Sequence, residues 1–118
     1  MASVFVNKKA DLTSDATVTL YTVPTATTAI IKSILVNDDS GSGSQVTITL
    51  TNASDAVFSI GYNISIPDPD DQTNGPVEIL TNPLVAETGE IIKVSAVNGN
   101  RLHVILSAME VTPRTVTT

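Results

Sequence analysis

Along residues 46–51, Val46, Ile48 and Leu50 alternate with Thr47, Thr49 and Thr51. A period of two with one apolar and one polar face is the mark of a half-buried strand. Phe58, Ile60, Tyr62, Ile64 and Ile66 alternate in the same way with Ser59, Gly61, Asn63 and Ser65. This phase places Phe58 and Tyr62 on the core side, and Gly61 where a bulge or a close neighbour is expected. Val18 and Leu20 alternate with Thr17 and Thr19, and Ile92, Val94 and Ala96 with Lys93 and Ser95. Two runs are apolar on both faces. Leu102, Val104 and Leu106 occupy one side of residues 102–111, and Ile105, Met109 and Val111 the other. Residues 30–36 behave alike apart from Lys32. A doubly apolar strand is central in a sandwich or covered on its outside by a partner.

Turn signals separate these runs. They are the Asp38–Ser44 Gly/Ser stretch, Asn52–Asp55, the long Pro67–Pro76 loop, Asn82-Pro83, Thr88-Gly89 and Asn98-Gly99. Strands are expected at 3–7, 16–23, 29–37, 45–51, 56–66, 77–80, 90–97 and 101–111. No segment sustains the helical i, i+3, i+4, i+7 spacing. The reading is an all-β chain: one antiparallel β-sandwich over 1–118, jelly-roll-like, of about eight strands. An N-terminal arm (about 1–15) and a C-terminal tail (about 112–118) flank it. Composition agrees: 17 Thr, 14 Val and 11 Ile make 42 of 118 residues β-branched, which suits a pleated surface.

Composition then removes function classes. With no cysteine, disulfide scaffolds, thiol enzymes and cysteine-ligated metals fall away. Six Lys and Arg against twelve Asp and Glu leave a net charge of −6 and no basic surface for nucleic acid. No segment reaches the roughly 20 apolar residues of a membrane-spanning helix. The first residues carry Lys8 and Lys9 after a short apolar stretch, the reverse of a secretion signal.

Candidate chemistry is sparse. His103 is the one histidine and falls within a strand, with no nucleophile elbow or phosphate-cradling glycine loop elsewhere. It reads as an ordinary strand residue, and no enzyme is expected. Asp68, Asp70 and Asp71 offer oxygens for calcium but lack the D-x-D-x-D-G order, so the loop reads as a solvated acidic turn. Asn52 and Asn63 begin chance glycosylation sequons. With Phe58 and Tyr62 assigned to the core, too few aromatics remain for a sugar-stacking face. No cofactor, metal or small-molecule substrate is expected.

What remains is surface. The doubly apolar strands, the short first strand and the polar tail suit contact with other proteins. The expected contact residues are Val4, Phe5, Val6, Tyr21, Ile31, Leu35, Arg114 and Val116.

The segment Val18-Thr19-Leu20-Tyr21-Thr22-Val23-Pro24, with the Thr-rich turn and Ala29-Ile30-Ile31-Lys32-Ser33-Ile34-Leu35-Val36-Asn37 that follow, resembles small virion proteins of tailed bacteriophages. Val46–Leu50, Val85–Val94 and Leu102–Val111 continue the likeness over residues 17–111. The resemblance implies a β-sandwich mounted on the particle, as a capsid decoration (cement) protein or in the neck, tail or fibre. It carries over no catalytic residues. An acidic chain is repelled by packaged DNA, which favours the outer capsid surface. The expected partners are the major capsid protein and further copies of the chain, with a trimer the natural oligomer at symmetric shell sites. Synthesis in the host cytoplasm follows from the same reading. A receptor- or glycan-binding module is the alternative of a different class.

Overall fold

The computed structural model describes residues 2–38, 44–66, 77–97 and 102–112. Among them nine strands and no helix form: β1 (Ala2–Leu12), β2 (Val18–Thr22), β3 (Thr28–Asp38), β4 (Ser44–Thr51), β5 (Val57–Ile66), β6 (Val77–Glu78), β7 (Leu84–Ala86), β8 (Ile91–Ala96) and β9 (Leu102–Thr112). The first sheet has the order β1-β9-β3-β6, with β7 also on β3; the second is β2-β8-β4-β5. Every pairing is antiparallel.

The pairings nest. β1 meets β9, β2 meets β8, β3 meets β6 and β7, and β4 meets β5. A long hairpin rolled so that its two arms alternate between sheets gives this order, which is the jelly roll. β6 and β7 lie on the same edge of β3, against Leu35–Val36 and Ala29–Ile31 respectively. They are one interrupted strand, so the eight-strand expectation differs from the structure by this break. The β7 half escaped the sequence reading because Leu84–Ala86 is too short to show a period.

The core lies between the sheets. Leu12, Ile34, Val36, Leu102, Val104 and Leu106 enter it from the first sheet, and Val46, Ile48, Ile92, Val94 and Ala96 from the second. The expected alternations of β4, β8 and the inner side of β9 are met at every one of these positions.

Elsewhere bulges shift the phase. In β2, Thr19 faces Lys93 and Tyr21 faces Ile92, so Leu20 is an extra residue. Leu20 and Tyr21 are consequently both buried. In β3, Ile31 faces Ala108 and Ser33 faces Ser107, so Lys32 is extra. Ala29 and Ile31 point inward before it, Ile34 and Val36 after it. In β5 the register against β4 slips twice, between Val46 and Ile48 and between Ile48 and Thr49. Asn63 sits in the first slip with φ 50°, and its backbone N–H donates to the Thr47 hydroxyl at 3.0 Å. The expected close neighbour of Gly61 is real: a Cβ there would overlap Ile64 Cδ1 and lie 3.2 Å from Cγ1.

The first strand is longer than expected. Ala10 and Leu12 continue its inward phase, and β1 pairs with β9 from Ala2 to Leu12. Residues 2–12, expected as an arm, therefore form the edge strand of this chain's own sheet. Lys8 disguised the pattern, because it falls on the inward phase. At a sheet edge the ammonium escapes burial, and it stands 6.0 Å from the Tyr21 ring centroid.

Candidate interaction surface

The register of the first sheet arranges its outer side chains in rows across the strands. One row is Phe5, Met109, Ile30 and Val85, contributed in turn by β1, β9, β3 and β7. A second is Lys9, Ile105, Leu35 and Glu78, contributed by β1, β9, β3 and β6. Between them lie Asn7, Ser107 and Ser33, and beyond the second row Asp11, His103 and Asn37. Directly opposed side chains lie about 5 Å apart, so each row is a continuous strip. Phe5 is 75 % exposed, Val85 57 % and Ile105 41 %. Met109, Ile30 and Leu35 are half-buried by these neighbours.

Polar groups frame the apolar rows. The His103 Nε2 is 3.5 Å from the Asp11 Oδ1. Glu78 accepts the Ser33 hydroxyl at 2.5 Å and the backbone N–H groups of Ile34 at 2.9 Å and Leu80 at 3.1 Å. Burial pushes the Glu78 carboxyl up, but the hydrogen bonds from Ser33, Ile34, Leu80 and Ile79 outweigh it and hold it below its ordinary value. That carboxylate anchors β6 to β3 and fixes the end of the second row.

The structure divides the expected contact residues. Phe5 lies in the first outer row and Leu35 in the second. Val4 is 56 % exposed at the rim, across from Glu110, and Val6 is half-buried against the core. Tyr21 and Ile31 are corrections: both are core residues, turned inward by the bulges at Leu20 and Lys32. The Tyr21 hydroxyl donates to Glu110 Oε2 at 2.5 Å. Burial, the bond to Glu110 and its charge together push the phenol well above its ordinary value. Arg114 and Val116 lie outside the described residues, as do the acidic loop 67–76 and the tail from 113.

Two further groups lie on the surface outside the expected contact residues. Met109 and Ile105, on the second face of β9, stand in the same rows as Phe5 and Leu35. Phe58 and Tyr62, expected in the core, are 55 % and 75 % exposed on β5, and Val57 beside them is 63 % exposed. The slip beside Gly61 turns Tyr62 outward, whereas Phe58 keeps the face of its partner Leu50 and is exposed because β5 is the edge strand. The surface therefore holds three exposed aromatics, Phe5, Phe58 and Tyr62, rather than the few that argued against sugar stacking.

The second sheet's outer side differs in kind. Thr47, Thr49 and Thr51 of β4 and Lys93 and Ser95 of β8 line a shallow depression there with Thr17 and Val57. Among the described residues no group of three or more His, Asp or Glu side chains gathers as metal ligands would.

No protein-family model and no curated protein sequence matches the chain. A solved chain from the cyanophage Pam1 capsid asymmetric unit is similar at a TM-score of 0.49 and 11 % identity, over 94 % of this chain and 85 % of that one.

Proposed function

We propose that the protein is a structural protein of a tailed-phage virion, and within that class a decoration protein on the outer surface of the head. It holds shell subunits together by protein–protein contacts and has no catalytic task of its own. The observation that carries the reading is the outer side of the first sheet, where the apolar row Phe5, Met109, Ile30 and Val85 crosses four strands and the apolar pair Ile105 and Leu35 lies across a polar row from it, with nothing over them among the described residues. An exposed apolar strip of this kind marks a contact site. The resemblance of residues 17–111 to small virion proteins, and a net charge of −6 that keeps the chain away from packaged DNA, support the same reading.

A clamp that binds only assembled shell stabilises it by mass action. Symmetric shell sites then call for three copies around each site. The test compares particles with and without the protein under heating and osmotic shock. Earlier release of DNA from particles lacking it is the expected result, and equal survival refutes the proposal. Copy number separates head from tail or neck: hundreds per particle for decoration, a dozen or fewer otherwise.

A second reading, a receptor- or glycan-binding module, draws on exposed Phe58 and Tyr62. Their rings are available for stacking on sugar faces. Binding on a glycan array that is lost in the Tyr62→Ala variant would favour it over the shell role.

A further inference from the structure

We infer that the outer face of the first sheet is where two copies of this chain pair, about a two-fold axis lying between the faces and running along the strands between β9 and β3. The inference concerns the free chain and does not rest on the identity of any shell partner.

The rows are self-complementary about that axis. Reflecting the strand order β1-β9-β3-β6/β7 onto itself sets Phe5 over Val85 of the second copy and Met109 over its Ile30. In the next row Ile105 lies over Leu35 of the second copy, and Lys9 over its Glu78. Apolar groups meet apolar groups, and the one cation at the end of the second row meets the one carboxylate at its other end. An isologous interface requires this match of a surface with itself.

Charge points to a copy rather than to a charged partner. The whole chain carries −6, yet this face and its rim carry Lys9 and Lys32 against Asp11 and Glu78. Two copies that repel elsewhere meet here without net repulsion. The area is adequate. From Ser3 to Asp11 the face is about 27 Å long at about 3.4 Å per residue, and four strands about 4.8 Å apart make it about 19 Å wide. That is about 500 Å² per copy and about 1,000 Å² in all, the lower bound of a specific interface. Two sheets of matching twist pack face to face about 10 Å apart, the geometry this contact uses. Three copies around a shell axis would then be a property of the shell site, and the free chain would be a dimer.

Sedimentation equilibrium of the purified full chain tests this. The expected mass is twice 12.3 kDa at micromolar concentration. Ile105→Glu changes a side chain already 41 % exposed, so the fold survives and far-UV circular dichroism verifies it. It is expected to weaken the dimer by at least about tenfold. Lys9→Glu is expected to weaken it too, by placing a second carboxylate opposite Glu78 of the other copy. Thr49→Glu, on the other sheet's outer side, is expected to leave the dimer unchanged. A monomeric or trimeric wild type, a full-strength Ile105→Glu dimer, or equal weakening by Thr49→Glu overturns the inference. Monomeric Ile105→Glu that still protects particles leaves the dimer inference standing and removes this face as the basis of the shell proposal. An intact dimer that never protects particles refutes the shell proposal alone.

Discussion

Deleting Lys32 is the sharpest test of how this chain sets inside from outside. Lys32 is the extra residue of the β3 bulge, with Ile31 facing Ala108 and Ser33 facing Ser107. Without it Ala29, Ile31, Ile34 and Val36 fall into plain alternation with Ile30, Ser33 and Leu35. No buried side chain changes face. The loss is confined to the β6 side, where Glu78 is bonded to Ser33 and Ile34 and the strand must close up by one residue. One disturbed hydrogen bond to a charged group amounts to about 2 kcal/mol. Deleting Leu35, a regular position, is different. Holding Ile34 inside turns Val36 out and Asn37 in. Val36 is fully buried, and its exposure forfeits about 1.5–3 kcal/mol before any cavity is counted. Burying the Asn37 amide adds about 1–3 kcal/mol. The sum, about 2.5–6 kcal/mol, reaches the lower end of the stability of a small domain, about 5–15 kcal/mol. Urea unfolding followed by far-UV circular dichroism reads both variants. With a slope of about 1–1.5 kcal/mol per molar urea, loss of Lys32 lowers the midpoint by about 1.5 M. The Leu35 deletion is expected to lower the midpoint by about twice as much or more. Equal damage from the two deletions would refute the assignment of Lys32 as the phase-setting residue.

Three further outcomes are expected. Thr51 is buried and its hydroxyl has no partner, so Thr51→Val is expected to raise stability by about 1 kcal/mol, read as a higher urea midpoint. Tyr21→Phe removes the donor to Glu110 and is expected to lower stability by about 2 kcal/mol at neutral pH. The Tyr21 phenol is raised in the folded chain, so its contribution is complete below about pH 10 and falls as pH climbs, because the unfolded chain ionises first. Urea midpoints at pH 9 and pH 11 should therefore fall more steeply in wild type than in Tyr21→Phe. For Glu78 the sign reverses: its lowered carboxyl contributes in full above its ordinary value of 4.5 and less as pH falls through the folded value. Glu78→Gln is expected to flatten the acid side of the stability profile, and an unchanged slope would remove Glu78 from that role.

Where the chain keeps a strict period of two, its sequence could be read directly. Val46, Ile48 and Leu50 enter the core, and so do Leu102, Val104 and Leu106. Counting by twos fails wherever an extra residue intervenes. Tyr21, Ile31 and Tyr62 depart from the alternation for this one reason, since each lies at a register slip, while Phe58 keeps the core-side phase and is exposed at the edge of the sheet. A bulge leaves little trace in sequence: Lys32 amid apolar residues and Gly61 within β5 were the two visible hints. The contact surface was partly legible. The apolar second side of β9 is plain from Ile105, Met109 and Val111. Its alignment with Phe5, Leu35 and Val85 depends on strand order, which pattern alone does not contain.

The two outer faces differ in what the same β-branched composition leaves facing water. Thr and Ile have similar preference for a pleated strand, so both sheets form equally well. They differ in what they leave facing water. On the second sheet Thr47, Thr49 and Ser95 keep the outer side wet. On the first, Ile30, Leu35, Ile105 and Met109 stand at the equivalent outward positions. The net acidic charge does not offset this, because Asp15, Asp55, Glu87 and Glu90 lie in connections between strands rather than on that face. Charge placed at the ends of a sandwich opposes end-to-end stacking while leaving a neutral face free to be covered. The choice of Ile, Leu and Met over Thr is therefore what makes one outer face apolar where the other is rich in hydroxyls.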